Sequence, residues 1–502
     1  MYITSIRFSQ RREFASSKHR LLPHTRCFST KLFRPFRAIS FSILLTISCI
    51  AALGQAPVPA GSEFRVNTAT ADEQGIFSPY AHNPIAMNAS GNFVDVWASY
   101  LQDGSGYGIY GQRYNAAGIA QGAEFQVNSF TVGNQFRAAV AMDPSGNFVV
   151  VWASQDQDGS GYGIYGQRFN ASGAPQGSEF KVNTSTTGDQ LNPSVAIDST
   201  GNFVATWESA GQDTDGFGIF GQRFNAAGVA QGSEFQINTY ATSDQEFASV
   251  SMDAGGNFVV AWTSRDEDAS GNGIFARRFN ASGVALGGEF PVNTTTDNDQ
   301  MFPSVAVNAS GIFVIVWESF DQDGSLFGIY AQRYNSSGTP QGGEFRVNTT
   351  TDNNQSLPVA AIDSNGAFTI TWQSQDQDGS GLGIYAQRYD STGTAQGGEF
   401  RVNTETNDDQ FNPALASDQN GNFVAVWNSS GQDGSLLGVY GQRFVIPGSA
   451  SPGDVIISEF RLSGPGGSQD EFIELYNTKA SAIAVQGANS SAGWTLRSSD
   501  GS

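Results

Sequence analysis

Acidic pairs separated by one residue recur along this chain, as Asp156-Gln-Asp158-Gly, Asp213-Thr-Asp215-Gly, Asp266-Glu-Asp268, Asp321-Gln-Asp323-Gly and Asp376-Gln-Asp378-Gly. Single acids stand at Asp103 and Asp433. Two carboxylates, nearby backbone carbonyls and a glycine for a sharp bend suit calcium, which takes about six to eight oxygen ligands. No third acid or terminal glutamate follows at EF-hand spacing, so each site would need a neighbouring loop and would bind weakly, at about 0.1–1 mM. The same Asp and Gly residues are also good turn formers. Calcium is the one cofactor this pattern suggests.

Other chemistry is narrowed by what the chain lacks. Cys27 and Cys49, its only cysteines, both fall in the first fifty residues, and beyond them His82 is the one histidine. Cysteine nucleophiles and multi-histidine zinc or iron sites are thereby excluded from the body of the protein. Paired carboxylates for glycoside cleavage remain available because acids are plentiful. No phosphate-cradling glycine loop and no basic stripe occurs.

The elements that must hold these acids follow from one period. Trp97, Trp152, Trp207, Trp262, Trp317, Trp372 and Trp427 are spaced by 55 residues each time, and an Arg from Arg113 to Arg443 keeps the same step. Within one unit, Ala138–Met142, Asn147–Ser154, Gly163–Phe169 and Glu179–Asn183 have strand length and β-branched or aromatic content. The turns Asp143-Pro-Ser-Gly146 and Asn170-Ala-Ser-Gly173 join them as hairpins. Four antiparallel strands repeated seven times predict an all-β, seven-bladed β-propeller over residues 61–444. The repeat opens on the last strand type and stops on the third. Ring closure is therefore expected by pairing Phe64–Asn67 with Tyr440–Phe444.

The first Glu-Phe pair, Glu63-Phe64, lies 61 residues before the second, which places a six-residue insertion within Thr68–Pro84. His82 falls there and reads as a loop residue. The seven tryptophans end apolar strands and read as core rather than as sugar-stacking platforms. Arg168 and Glu179 flank one hairpin and are expected to pair across it, as are Arg443 and Glu63 across the closure. Loops between the second and third strands emerge on the same side as the blade-to-blade connections, so one face carries most of the acid.

Residues 1–56 form a basic leader with a signal peptide. Nine basic residues and one acid precede the apolar run Ala38–Leu53, and small residues lie near the expected cleavage at Gly54–Ala56. The run is short for a membrane span, so none is expected after cleavage. Removing the leader takes the formal charge from −21 to −29. Such a surface repels nucleic acid and suits cations or neutral polar ligands such as glycans.

A linker, residues 445–453, precedes Asp454-Val-Ile-Ile-Ser-Glu-Phe460, Asp470-Glu-Phe-Ile-Glu-Leu-Tyr-Asn477 and Gly493-Trp-Thr-Leu496. Residues 454–502 resemble the opening strands of a lamin-tail domain, which implies part of an immunoglobulin-like β-sandwich and a role in surface attachment. The QDGSGYGIYGQR stretch resembles repeats of large secreted bacterial surface proteins that often accompany calcium-binding modules. The acidic loops resemble the Asp boxes of sialidase-type propellers but lack the closing Thr-Trp, so no sialidase activity is implied.

These readings converge on a secreted or cell-surface, non-catalytic binding or adhesion protein whose acidic face engages glycans or an extracellular protein, organised by calcium. A propeller hydrolase or lyase acting on polysaccharide at the central mouth is the alternative, and a structural spacer the second. An enzyme would need residues that break the repeat, and the candidates are the first-blade insertion and Arg265–Asp268.

Overall fold

The computed structural model describes residues 56–76, 83–268 and 270–447 in full, and the strands Val455–Arg461 and Phe472–Asn477 as backbone. The leader, both cysteines and His82 lie outside the described residues. The two C-terminal strands pair antiparallel, with Val455 opposite Asn477. The rest of the expected sandwich also falls outside the described residues.

Residues 56–446 form one unit of seven antiparallel blades. In the second blade the strands are Gln135–Met142, Phe148–Gln155, Tyr162–Phe169 and Phe180–Lys181. Asp143 starts the first hairpin by accepting the Asn147 amide on Oδ1 at 2.9 Å. Gly146 closes it at φ +87°, a conformation that residues with a Cβ rarely adopt.

Both faces of the second strand are apolar because it is sandwiched between neighbours. Trp152 packs with Val94, Val96 and Ala98 of the first blade, while Val149 and Val151 pack with Trp207 of the third. All seven tryptophans are at most 1% exposed, so each wedges one blade against the preceding one. The first strands stand side by side around the axis. Ser194, Ser249 and Ser304 accept the amides of Val250, Val305 and Ala360 in the following blades at 3.1–3.2 Å.

Each of these inner strands from the second blade to the seventh carries a bulge. Arg137, Asn192, Phe247, Phe302, Leu357 and Asn412 sit there at φ between 50° and 58°. In the first blade the inner strand is split into Gln74–Gly75 and Ile85–Met87, both paired to Phe93–Tyr100. Gln74 accepts from Asn67 as Gln135 does from Asn128, which places the insertion between Ile76 and Asn83.

Closure is double. Phe64 and Arg65 pair with Gly441 and Tyr440, and Val58 and Pro59 extend the same edge opposite Val445 and Phe444. Asn67 adds a side-chain bond, its Oδ1 accepting the Val439 amide at 2.8 Å.

The expected Arg168–Glu179 pair does not form. Phe180 lies opposite Gly166, so continuing the register sets Glu179 opposite Gln167 and puts the Arg168 side chain on the other face. Arg168 instead donates to the Ala226 carbonyl of the next blade at 2.6 Å and to Gln176 O at 3.0 Å. Glu179 accepts from Ser129 N and Oγ at 2.7 and 2.9 Å. Arg443 and Glu63 likewise part, Arg443 donating to Ala117 O at 2.6 Å and Glu63 accepting from Thr404. Both residues do structural work, with backbone partners in adjacent blades.

Candidate active site

The acidic loops and the blade connections meet on one face of the ring, where Asp189 Oδ1 accepts the Tyr162 amide at 3.0 Å. Within a loop the two acids diverge. Asp156, Asp266, Asp321 and Asp376 open their loops at φ 55–60°. Asp158, Asp268, Asp323 and Asp378 fold inward, each Oδ1 capping the amide two residues on at 3.1–3.3 Å. The inward carboxylate fills space left by a glycine: a Cβ on Gly163 would lie 2.8 Å from Asp158 Oδ2.

The third blade is out of step. Asp213 occupies the inward position, near Asn238 at 3.3 Å, while Asp215 accepts the Ser243 amide at 3.2 Å. One inward acid has a cationic partner, Lys181 reaching Asp158 at 2.8 Å. Among the described residues no three acidic or imidazole groups converge as a metal-binding cluster.

The residues that break the repeat lie deeper. The position after each tryptophan reads Ala98, Ala153, Glu208, Thr263, Glu318, Gln373 and Asn428. Where this residue has an acceptor, it takes a backbone amide of the following blade. Glu208 accepts from Phe247 at 2.5 Å, Thr263 from Phe302 at 3.2 Å, Glu318 from Leu357 at 2.9 Å and Gln373 from Asn412 at 3.0 Å. These side chains therefore lie directly behind the inner strands at their bulges.

Glu208 has a second arm. Asn192 Nδ2 donates to its Oε2 at 2.7 Å, and Arg137 Nη1 donates to Asn192 Oδ1 at 2.6 Å. Burial pushes the Glu208 carboxyl up to about 7 against these stabilising bonds, and the charge of Glu246 adds to the rise. Burial also raises Glu246, the last paired residue before the bulge of the next inner strand, with Asp244 adding and Arg265 opposing. Glu318 is pushed up to about 8 by burial, with the Leu357 amide as the opposing influence.

The sequence pattern of paired loop acids pointed elsewhere. Arg137, Asn192, Glu208 and Glu246 come from three consecutive blades and share no motif. Their signal is in the 55-residue alignment, where Arg137 and Glu246 are unique at their positions, Asn192 recurs only as Asn412 and Glu208 only as Glu318. Arg265, in the break flagged in sequence, borders this group, since it lies 3.7 Å from Asp244 and both charges act on Glu246, whereas Asp268 caps its own loop.

No protein-family model and no curated protein matches this chain. Among solved structures, a protein of unknown function from Dyadobacter fermentans matches at TM-score 0.44 and 12% identity, over 62% of this chain and 94% of that one. An α-L-arabinanase from Penicillium chrysogenum, complexed with arabinobiose, matches at TM-score 0.38 and 16% identity, over 62% and 92%. An α-L-arabinofuranosidase from Fusarium graminearum matches at TM-score 0.41 and 9% identity, again over 62% and 92%. Glycoside-cleaving proteins thus stand among the matches, and the expectation of a non-catalytic binding or adhesion protein, with no enzymatic activity, is corrected on that finding.

Proposed function

We propose that this chain is an extracellular propeller hydrolase that cleaves a neutral polysaccharide at the mouth of the ring. The observation that carries the reading is the Arg137–Asn192–Glu208 relay beside Glu246, a set of polar residues that breaks an otherwise regular repeat. A carboxyl held near neutrality is suited to give a proton at working pH, which is what a departing glycosidic oxygen requires. Glu246 is the complementary base. It takes a proton from the water whose oxygen bonds the anomeric carbon as the glycosidic C–O bond breaks.

Charge favours hydrolysis of neutral chains over elimination from acidic ones. A lyase substrate carries uronate groups, and a surface at −29 once the leader is removed repels them. Aromatic pairs at strand ends on the same face, Phe136 with Tyr162 and Phe320 with Phe327, each about 5.0 Å apart, offer apolar surface to sugar rings. No helix among the described residues is long and apolar enough to cross a membrane. The signal-like leader supports export, and the lamin-tail-like segment supports attachment at a surface.

The test is release of reducing ends from neutral and uronate-rich polysaccharides by wild type and Glu208→Gln. Wild-type activity on a neutral chain, lowered about 100-fold or more by the substitution, is expected. Absence of release from every neutral chain, or equal rates for both proteins, would overturn the reading.

A further inference from the structure

Asp95 lies in the second strand of the first blade, at a position filled in the other six by Val150, Ala205, Val260, Ile315, Ile370 and Ala425. It is 1% exposed. Both of its carboxyl oxygens are buried without a hydrogen-bond partner. Asp95 shares a strand face with Phe93 and Trp97, which pack against Ala414, Ala416, Val424 and Val426 of the seventh blade. This is the seam at which the ring closes.

Among the described residues the groups facing Asp95 are apolar except for two, Tyr114 and Gln112, and the Gln112 amide is committed to Arg113 O and Gly122 O at 2.9 and 3.3 Å. Tyr114, on the third strand of the same blade, is the titratable residue that feels its charge, and the phenol hydroxyl donates to Val66 O at 3.2 Å. From the seventh blade, Ala414, Ala416, Val424 and Val426 pack on this face, while its Asn412 and Asn428 bond the Ile76 backbone, and Asp95 pairs across its own sheet with Ile85 and Gln112. Among the described residues no cation pairs with it. A carboxylate in such a place is costly, whereas a protonated carboxyl is much less so.

We propose that Asp95 makes the closure of the ring proton-dependent, so that the seam between the first and seventh blades is held firmly when Asp95 carries a proton and loosens when it ionises. Burial raises its carboxyl well above the ordinary value, in keeping with the apolar surroundings. The sign follows from linkage. The unfolded chain releases this proton at about pH 4, and the folded seam holds it to higher pH. Stability from this group is therefore complete below about pH 4 and declines as pH rises toward the folded value, by about tenfold in the folding constant per pH unit. The strands that close the ring, Val58–Pro59 and Phe64–Arg65, are short, pair with Leu437–Val445 of the seventh blade and meet the first blade through Phe64 against Phe93 and Tyr114, so loosening should appear there first.

The experiment compares thermal melts of wild type, Asp95→Val and Asp95→Asn from pH 4 to pH 8, with amide exchange followed over residues 58–67 and 437–445. Asp95→Val restores the residue that the second blade carries, and Asp95→Asn keeps the volume without the charge. Wild type should lose melting temperature relative to both variants as pH rises. Protection at residues 58–67, corrected for the intrinsic rise of amide exchange with pH, should fall further in wild type than in either variant over the same range. Parallel melting curves for all three proteins, or equal exchange at the seam, would overturn the proposal. So would an Asp95→Val protein less stable than wild type at pH 8.

Discussion

Glu63 accepts the backbone amide and the hydroxyl of Thr404, at 2.7 and 2.8 Å, across 341 residues of chain. Its other oxygen accepts from Gln432 at 2.7 Å. The same three bonds recur between consecutive blades, for example at Glu179 with Ser129 and Gln157. Glu63 therefore lets the start of the chain act as a normal outer-strand residue of the last blade.

Glu63→Ala should destabilise the protein by about 1–3 kcal/mol, because the Thr404 amide and the Gln432 side chain lose a charged acceptor. The loss should be concentrated at the closure. Urea melts would give the magnitude, and limited proteolysis near residue 60 should become faster than in Glu179→Ala, whose chain is anchored on both sides.

Much of this architecture is legible in sequence because repetition averages out local ambiguity. Seven tryptophans at one spacing reveal the blades, and the offset between Glu63 and Arg443 reveals the closure. Individual pairings are less visible. Arg168 and Glu179 differ by one register step from the arrangement their hairpin suggests, and one step reverses the face. The carboxylates that stand out physically, Asp95, Glu208 and Glu318, sit inside strands and form no local motif. Only comparison of equivalent positions, such as Ala98, Ala153 and Glu208, separates them from the rest. The loop acids drew attention because they are frequent, although several are engaged by their own loop's amides.

Gly163 is required by space rather than by backbone conformation. Gly163→Ala would set a Cβ 2.8 Å from Asp158 Oδ2 and force out the carboxylate that also holds Lys181 at 2.8 Å. A loss of about 1–3 kcal/mol is expected. In Asp158→Ser the smaller side chain should relieve the clash, so the double variant should cost less than the sum of the two single ones. Strict additivity in chemical melts would show that the contact is not the cause.

Activity on a neutral polysaccharide should decline as pH rises past about 7, because Glu208 must carry a proton to give one. The lower limb should reflect Glu246, which works ionised and is itself raised by burial. Asn192→Ala removes a bond that favours the Glu208 carboxylate, so the alkaline limb should move to higher pH. Arg137→Gln removes a positive charge and should shift it the same way. A kcat/KM profile whose alkaline limb is unmoved in both variants would take Glu208 out of the proton-donor role.

Glu267 is the one residue at its repeat position without a side-chain amide to donate. In the other six blades a glutamine stands there, and its amide reaches the blade's glutamate at 2.5–2.7 Å, as Gln157 reaches Glu179 and Gln377 reaches Glu399. Glu267 confronts Glu289 with a second carboxyl. Burial, followed by the Glu289 and Asp268 charges, raises it to about 7 while Ser264 opposes the shift. Two carboxyls in contact need a shared proton, so this pair is stable below the ordinary glutamate value and weakens as pH climbs toward 7. Glu267→Gln supplies the missing donor. It should leave stability near pH 4 almost unchanged and raise it by about 1 kcal/mol at pH 8. Melting curves of the two proteins should therefore diverge with rising pH. A constant difference across that range would mean that the pair carries no proton between its members.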